Sequence, residues 1–304
     1  MPPRLIRFSS PFLRQQPGLS IRVTVSRYST STDDAVIKTQ QIPAPGSGSI
    51  RVLLLNRPQA RNALSRNLLD SLSKHVKSIA AEEGNGPTRA LIIASNADAA
   101  FCAGADLKER LDMTKDETNQ FLAKLRGTFR DISALQIPTI SAVSSMALGG
   151  GLELALSTHF RVFGSSCLVA LPETKLAIIP GAGGTYRLPQ LIGASRARDL
   201  MVTGRRVSGA ESYFMGLCNR LVEVLPEEAQ KEGAAKDKVL RESIHLALDI
   251  CEGGPVAIKQ VLRAVENPSE AAENEAYDGV VNTEDRLEAL RAFSEKRKPA
   301  FRGR

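Results

Sequence analysis

Apolar positions fall into two kinds of run along the chain. Short continuous stretches, "IRVLLL" (50–55), "RALIIAS" (89–95) and "TISAV" (139–143), have the length and composition of buried strands, and "FRVFG" and "RLVEV" read the same way. Between them, residues 65–81 place Leu68, Leu69, Leu72, Val76 and Ile79 at three-to-four spacing, the apolar stripe of a helix. Strands alternating with helices predict an α/β layering. From about residue 235 the pattern becomes helical to the end, with one break at "EGGPVAIK", and reads as a separate helical layer suited to packing on a partner subunit. No repeat of fixed period is visible.

The chain divides into four parts on this reading: a leader at 1–32, a linker at 33–49, a core at 50–234 and a helical region at 235–304. The linker assignment rests on "QQIPAPGSGS", polar and rich in Pro and Gly. At 304 residues the chain can bury a large core, and no stretch reaches the roughly 18 apolar residues of a membrane span. Four cysteines (Cys102, Cys167, Cys218, Cys251) share no ligand-like spacing, which predicts a reduced intracellular protein without a zinc cluster.

Charge changes the picture at one end. The formal net charge is +7, but residues 1–32 carry five arginines (Arg4, Arg7, Arg14, Arg22, Arg27), no lysine and no acid. Removing those five leaves +2 for residues 33–304. An Arg-rich, Ser-rich, acid-free leader has the character of a mitochondrial transit peptide, with "RYST" suiting a processing site near Ser29. A nearly neutral body weakens the case for nucleic acid.

Candidate chemistry lies in three glycine-containing turns. "MALGGGLELAL" (146–156) follows the strand "TISAV" and leads into helix-forming sequence, so its glycines occupy a strand-to-helix turn. There the backbone N–H groups are free, and a chain without Cβ lets a ligand approach. Such donors suit a phosphate or a carbonyl becoming an enolate. Neither GxGxxG nor GxxxxGK[ST] is present. Glu153 lies on the first helical turn among apolar neighbours. A second isolated carboxylate, Glu173, stands in "ALPETKLAIIPGAGGTYRLP" (170–189), ahead of another glycine-rich loop. In "AFCAGADLKER" (100–110), Gly104 and Ala105 follow a strand and precede a charged helix start. Two carboxylates with paired backbone donors are what acid/base chemistry beside a carbonyl requires.

In order and spacing these three stretches resemble the enoyl-CoA hydratase/isomerase (crotonase) superfamily, over essentially residues 50–300. The resemblance implies a spiral of ββα units followed by a helical trimerisation region, assembled as a homotrimer or as a homohexamer, a dimer of trimers. It implies an oxyanion hole for an acyl-CoA thioester from the N–H groups of Ala105 and Gly150. Glu153 and Glu173 would flank a water, and Gly181 would help to hold it. Burial beside "LAII" favours a proton on Glu173 and the helix start favours Glu153 as carboxylate, so Glu153 is the expected base toward water and Glu173 the expected donor to Cα. Lys108 matches a position that can meet CoA phosphates. In the terminal "EALRAFSEKRKPAF", Phe293 and Lys296 would reach the adenine region of a neighbouring subunit's CoA. No metal or redox cofactor is implied.

Both carboxylates are retained, which favours hydration over double-bond isomerisation. The wording "ETKLAIIPGAGGT" with "AFCAGADLKER" is most similar to the superfamily's methylglutaconyl-CoA hydratases of mitochondrial leucine breakdown, which implies the mitochondrial matrix. The alternative within the class is a short-chain enoyl-CoA hydratase of fatty-acid β-oxidation. A reading from a different class, RNA binding, attaches in that branch to a lysine-rich helix. Here that helix, "SRNLLDSLSKHVKSIAAEEGNG", has Arg66, Lys74 and Lys77 but also Asp70, Glu82 and Glu83, with no aromatic stacking platform.

Overall fold

The computed structural model describes residues 35–304. The leader at 1–32 lies outside them. Ten strands occur in this stretch: β1 (Ile37–Pro43), β2 (Ser49–Leu55), β3 (Thr88–Ser95), β4 (Ala100–Cys102), β5 (Thr139–Val143), β6 (Met146–Leu148), β7 (Phe160–Gly164), β8 (Leu168–Ala170), β9 (Val207–Ser208) and β10 (Arg220–Val222). They form two sheets, one ordered β1-β2-β3-β5-β7-β10 and the other β4-β6-β8-β9. Strands β3, β5 and β7 lie parallel in the large sheet, and the strands that follow each of them, β4, β6 and β8, lie parallel in the small one. The chain thus steps from one sheet to the other three times, a spiral of ββ pairs. The steps begin at residues 88, 139 and 160, and this unequal spacing hides the repeat from sequence periodicity.

Helices stand before and after these steps. The first, α1 (Arg66–Ala80), is capped by Ser65, whose Oγ accepts the Leu68 N–H, and buries the predicted stripe Leu68, Leu69, Leu72, Val76 and Ile79. After β4 come α2 (Leu107–Leu111) and α3 (Lys115–Ser133); α4 (Gly150–Leu156) follows β6. Beyond β8, a single 3-10 turn (Glu173–Leu176) precedes α5 (Gly184–Ile192), α6 (Ala194–Thr203) and α7 (Gly209–Met215).

The large sheet is buried on both faces, which accounts for its unbroken apolar runs. On β2, Leu53 and Leu55 join the core shared with α1, α3 and α4, while Ile50, Val52 and Leu54 join a second core. The second core is covered by α9 (Ala234–Cys251), reached through α8 (Pro226–Gln230), with Val239, Ile244 and Ala247 facing the sheet.

Three expectations need correction. Residues 33–49 are not a plain linker, since β1 pairs with β2 from Ile37↔Leu55 to Pro43↔Ser49 and its Ile37 and Ile42 are buried. An antiparallel hairpin tolerates the Pro and Gly because they fall at its end, where Ala44 N–H donates to Gly48 C=O at 3.1 Å. The helical region is not wholly separate either, because α9 is a layer of the core. Nor is it broken only once: α10 (Pro255–Glu266), α11 (Glu270–Val281) and α12 (Glu284–Ser294) are divided again at Asn267 and Asn282, each followed by a Ser or Thr N-cap.

Candidate active site

All three candidate turns meet at one end of the small sheet. Parallel β4, β6 and β8 deliver Gly104–Ala105, Gly149–Gly150 and Glu173 in turn from their C-terminal ends. The expected direct step from "TISAV" into the glycines is therefore incomplete, because the short strand β6 intervenes. These residues line one cleft of about 930 Å³, together with Glu153, Gly181 and the apolar side chains Leu122, Leu125, Leu176, Ile178 and Ile179.

Each glycine of the triplet has its own reason. Gly149 takes φ +51°, and a Cβ there would stand 3.0 Å from the Glu173 Oε1. At Gly151 a Cβ would stand 2.1 Å from the carbonyl oxygen of Cys102, so α4 can lie against β4 only without one. Gly150, between them, has an N–H that donates to no protein acceptor among the described residues. Ala105 is equally free. Its parallel bridge to Leu64 uses the neighbouring Gly104 C=O (2.7 Å from Leu64 N) and Asp106 N–H (3.3 Å to Leu64 O), which turns the Ala105 N–H the other way.

The loop 56–65, in sequence only a break after a strand, braces that turn. Asn62 is buried, and its amide nitrogen donates to Ser95 Oγ at 2.8 Å and to the carbonyls of Ala100 and Phe101 at 3.3 and 3.1 Å. Arg57 spans the loop to Asp106 at 3.1 Å, and Ala103 N–H donates to Arg61 C=O at 3.0 Å. No single residue type announced this role.

The two carboxylates differ. Glu153 is 2% exposed, and its Oε1 accepts the backbone N–H groups of Ala182 and Gly184 at 2.7 and 2.8 Å. Burial still pushes its carboxyl up, opposed by those two N–H groups and by the charges of Arg187 and Arg126. The charge-holding partner is thus the loop after Glu173, in addition to the helix start read from sequence. Glu173 is 9% exposed, its Oε2 has no hydrogen-bond partner among the described residues, and burial, with the charge of Glu153 adding, pushes it up to about 7. Gly181 lines the cleft with an N–H that meets no protein acceptor among the described residues, while its C=O accepts Arg126 Nε at 2.6 Å.

The remaining three expected residues are not gathered here. Lys108 is exposed on α2 outside the cleft lining, Phe293 on α12 is 86% exposed, and Lys296 is exposed just beyond α12.

A spiral of paired strands, free N–H groups at Ala105 and Gly150, and two unlike carboxylates facing one cleft define the class. The sequence profile described as enoyl-CoA hydratase/isomerase matches residues 46–304, and the chain belongs to that family. It is 53% identical to "Methylglutaconyl-CoA hydratase 1, mitochondrial" of Pyricularia oryzae, over 98% of this chain and 96% of that one. It is 42% identical to "Methylglutaconyl-CoA hydratase, mitochondrial" of Homo sapiens, over 84% of this chain and 74% of that one. Among solved structures, the enoyl-CoA hydratase from Bacillus anthracis superposes with a TM-score of 0.79 at 37% identity, covering 88% of this chain and 100% of that one.

Proposed function

We propose that this protein hydrates an enoyl-CoA, adding water across the 2,3 double bond, with 3-methylglutaconyl-CoA as the substrate. The observation that carries the reading is the pairing of an anchored carboxylate with a proton-holding one beside two free N–H groups. The thioester oxygen gains negative charge as water attacks Cβ, and the N–H groups of Ala105 and Gly150 stabilise it there. Glu153 takes a proton from the water as its oxygen bonds to Cβ, and Glu173 gives its proton to Cα. One water is consumed, and the proton held by Glu153 restores the pair when it passes to Glu173. Gly181 offers its N–H to the water. Every acid, base and donor comes from the chain, so the reaction uses no cofactor beyond the CoA that belongs to the substrate.

Support for the acyl group comes from the names of the relatives, which also carry the word mitochondrial. With the leader at 1–32, they support a place in the mitochondrial matrix. Residues 1–32 fused to a reporter should direct it there, and cytosolic or secreted reporter would overturn that assignment.

A homotrimer or homohexamer is supported by α10–α12, which bury only Ala276, Asp285 and Ala292 of their own residues and expose Val261, Val265, Tyr277, Leu287, Leu290 and Phe293. Such packing is also where Phe293 and Lys296 would meet a neighbour's CoA, with Lys108 at the subunit's own. RNA binding finds less support: on α1, Arg66 pairs with Glu117 and Asp70 with Lys124. The test is loss of the conjugated enoyl absorbance with a panel of enoyl-CoAs. Turnover fastest on 3-methylglutaconyl-CoA supports the reading; no turnover of any contradicts it.

A further inference from the structure

The apolar cleft has three guanidinium groups in its lining, Arg110 on α2 and Arg126 and Arg130 on α3, and none of them has a carboxylate partner among the described residues. A reaction that needs only a thioester and a double bond gives no reason for so much positive charge. Arg110 is the most exceptional. Its guanidinium carbon lies 5.4 Å over the centroid of the Phe121 ring, and its side chain makes no hydrogen bond among the described residues. One face is closed by the ring, and its fork of donors is left without an acceptor. Its partial burial already disfavours the charged form. An unpaired, partly desolvated cation is costly unless something brings an anion to it.

Arg126 is fixed differently. Its Nε donates to Gly181 C=O, which leaves both terminal nitrogens without a hydrogen-bond partner among the described residues, and its charge is felt at Glu153. Arg110 stands five residues beyond Ala105, on the helix that starts at the oxyanion turn. The two arginines therefore come from separate helices to the same apolar space around the acyl group.

We infer that Arg110, with Arg126 lining the same cleft, is the receptor for a second carboxylate at the far end of the acyl chain. The inference rests on the hydratase reading of the cleft and adds to it the residues that choose an acidic over a neutral acyl group. A planar fork and a carboxylate match in a bidentate pair, and a ring-stacked Arg is pre-oriented for it. A CoA phosphate is the other anion to consider, and it is common to every CoA ester, so the two are separable.

Two readouts on wild type, Arg110→Leu and Arg126→Leu test this. Dissociation constants are measured for glutaryl-CoA and butyryl-CoA, saturated esters with and without the distal carboxylate. Specificity constants (kcat/KM) are measured for 3-methylglutaconyl-CoA and crotonyl-CoA. Wild type should prefer the carboxylated member of each pair. Arg110→Leu should lower that preference by about 10²-fold, the scale for removing one partner of a shielded charge pair, and Arg126→Leu by less. Arg110→Lys keeps the charge without the fork and should fall between; it also serves if the leucine variant does not fold. Equal weakening of all CoA esters would assign the arginines to the phosphates and overturn the inference. An unchanged preference in both leucine variants would do the same. Hydration without any preference in wild type leaves the hydratase reading intact and removes this one. An Arg110-dependent preference for glutaryl-CoA without hydration does the reverse.

Discussion

The Oε1 of Glu153 and the backbone N–H of Gly184 lie 2.8 Å apart, and this bond ties a carboxylate on α4 to the first residue of α5. Gly184 also has no room for a side chain. A Cβ there would stand 3.0 Å from Leu171 Cδ1 and from Pro180 Cβ, and 3.2 Å from Glu153 Oε1 itself. Gly184→Ala should therefore lower kcat while costing about 1–3 kcal/mol of stability, the usual range for overpacking. Turnover together with thermal unfolding checks it. Wild-type kcat in a folded variant would show that the loop does not position Glu153.

Gly150 sits at the first position of α4, where a missing N–H costs the helix nothing. Gly150→Pro removes the donor from the oxyanion hole and should lower kcat by about 10²–10³. Its ring would meet Leu64 Cδ1, which a Cβ already approaches to 3.0 Å, so circular dichroism and CoA binding accompany the rate. Full activity in the folded variant would take Gly150 out of the mechanism.

The proton on Glu173 gives a pH dependence with a definite sign. Its carboxyl, buried beside Glu153, is raised to about 7, so the pair carries one proton below that pH and loses it above. Hydration and the reverse dehydration both need the singly protonated pair. Their kcat/KM values should fall together as pH rises through about 7. Stability moves the same way: the folded state holds this proton where the unfolded chain has released it, so the contribution is complete below the unfolded value near 4.5 and is lost as pH rises toward 7. A flat kcat/KM profile from pH 6 to 9 would contradict the assignment of the proton.

Much of this was legible in the sequence because apolar runs report burial directly. In the large sheet β2, β3, β5, β7 and β10, and with them helix α1, appear within a residue or two of where the patterning puts them, whereas β1 lay in what read as linker. The small sheet was not legible, since three-residue strands such as Ala100–Cys102 and Met146–Leu148 are too short to carry a period. Glu153 and Glu173 stood out because a lone carboxylate among apolar residues is expensive. Asn62 and the N–H groups of Ala182 and Gly184 did not, because their roles come from contacts 29 to 39 residues away in the chain. Arg110 and Arg126 look in sequence like ordinary members of charged helices, and only the fold aims them at the same cleft.

The most direct test compares hydration of one enoyl-CoA by wild type, Glu153→Gln, Glu173→Gln and the double variant, with acyl-CoA binding measured separately. Gln keeps the size of each side chain and removes its proton exchange. Each single change should lower kcat by orders of magnitude with binding nearly intact. The double change should cost far less than the product of the two, because either one already breaks the same proton path. Near wild-type hydration by either single variant would contradict a mechanism in which the two carboxylates act on one water.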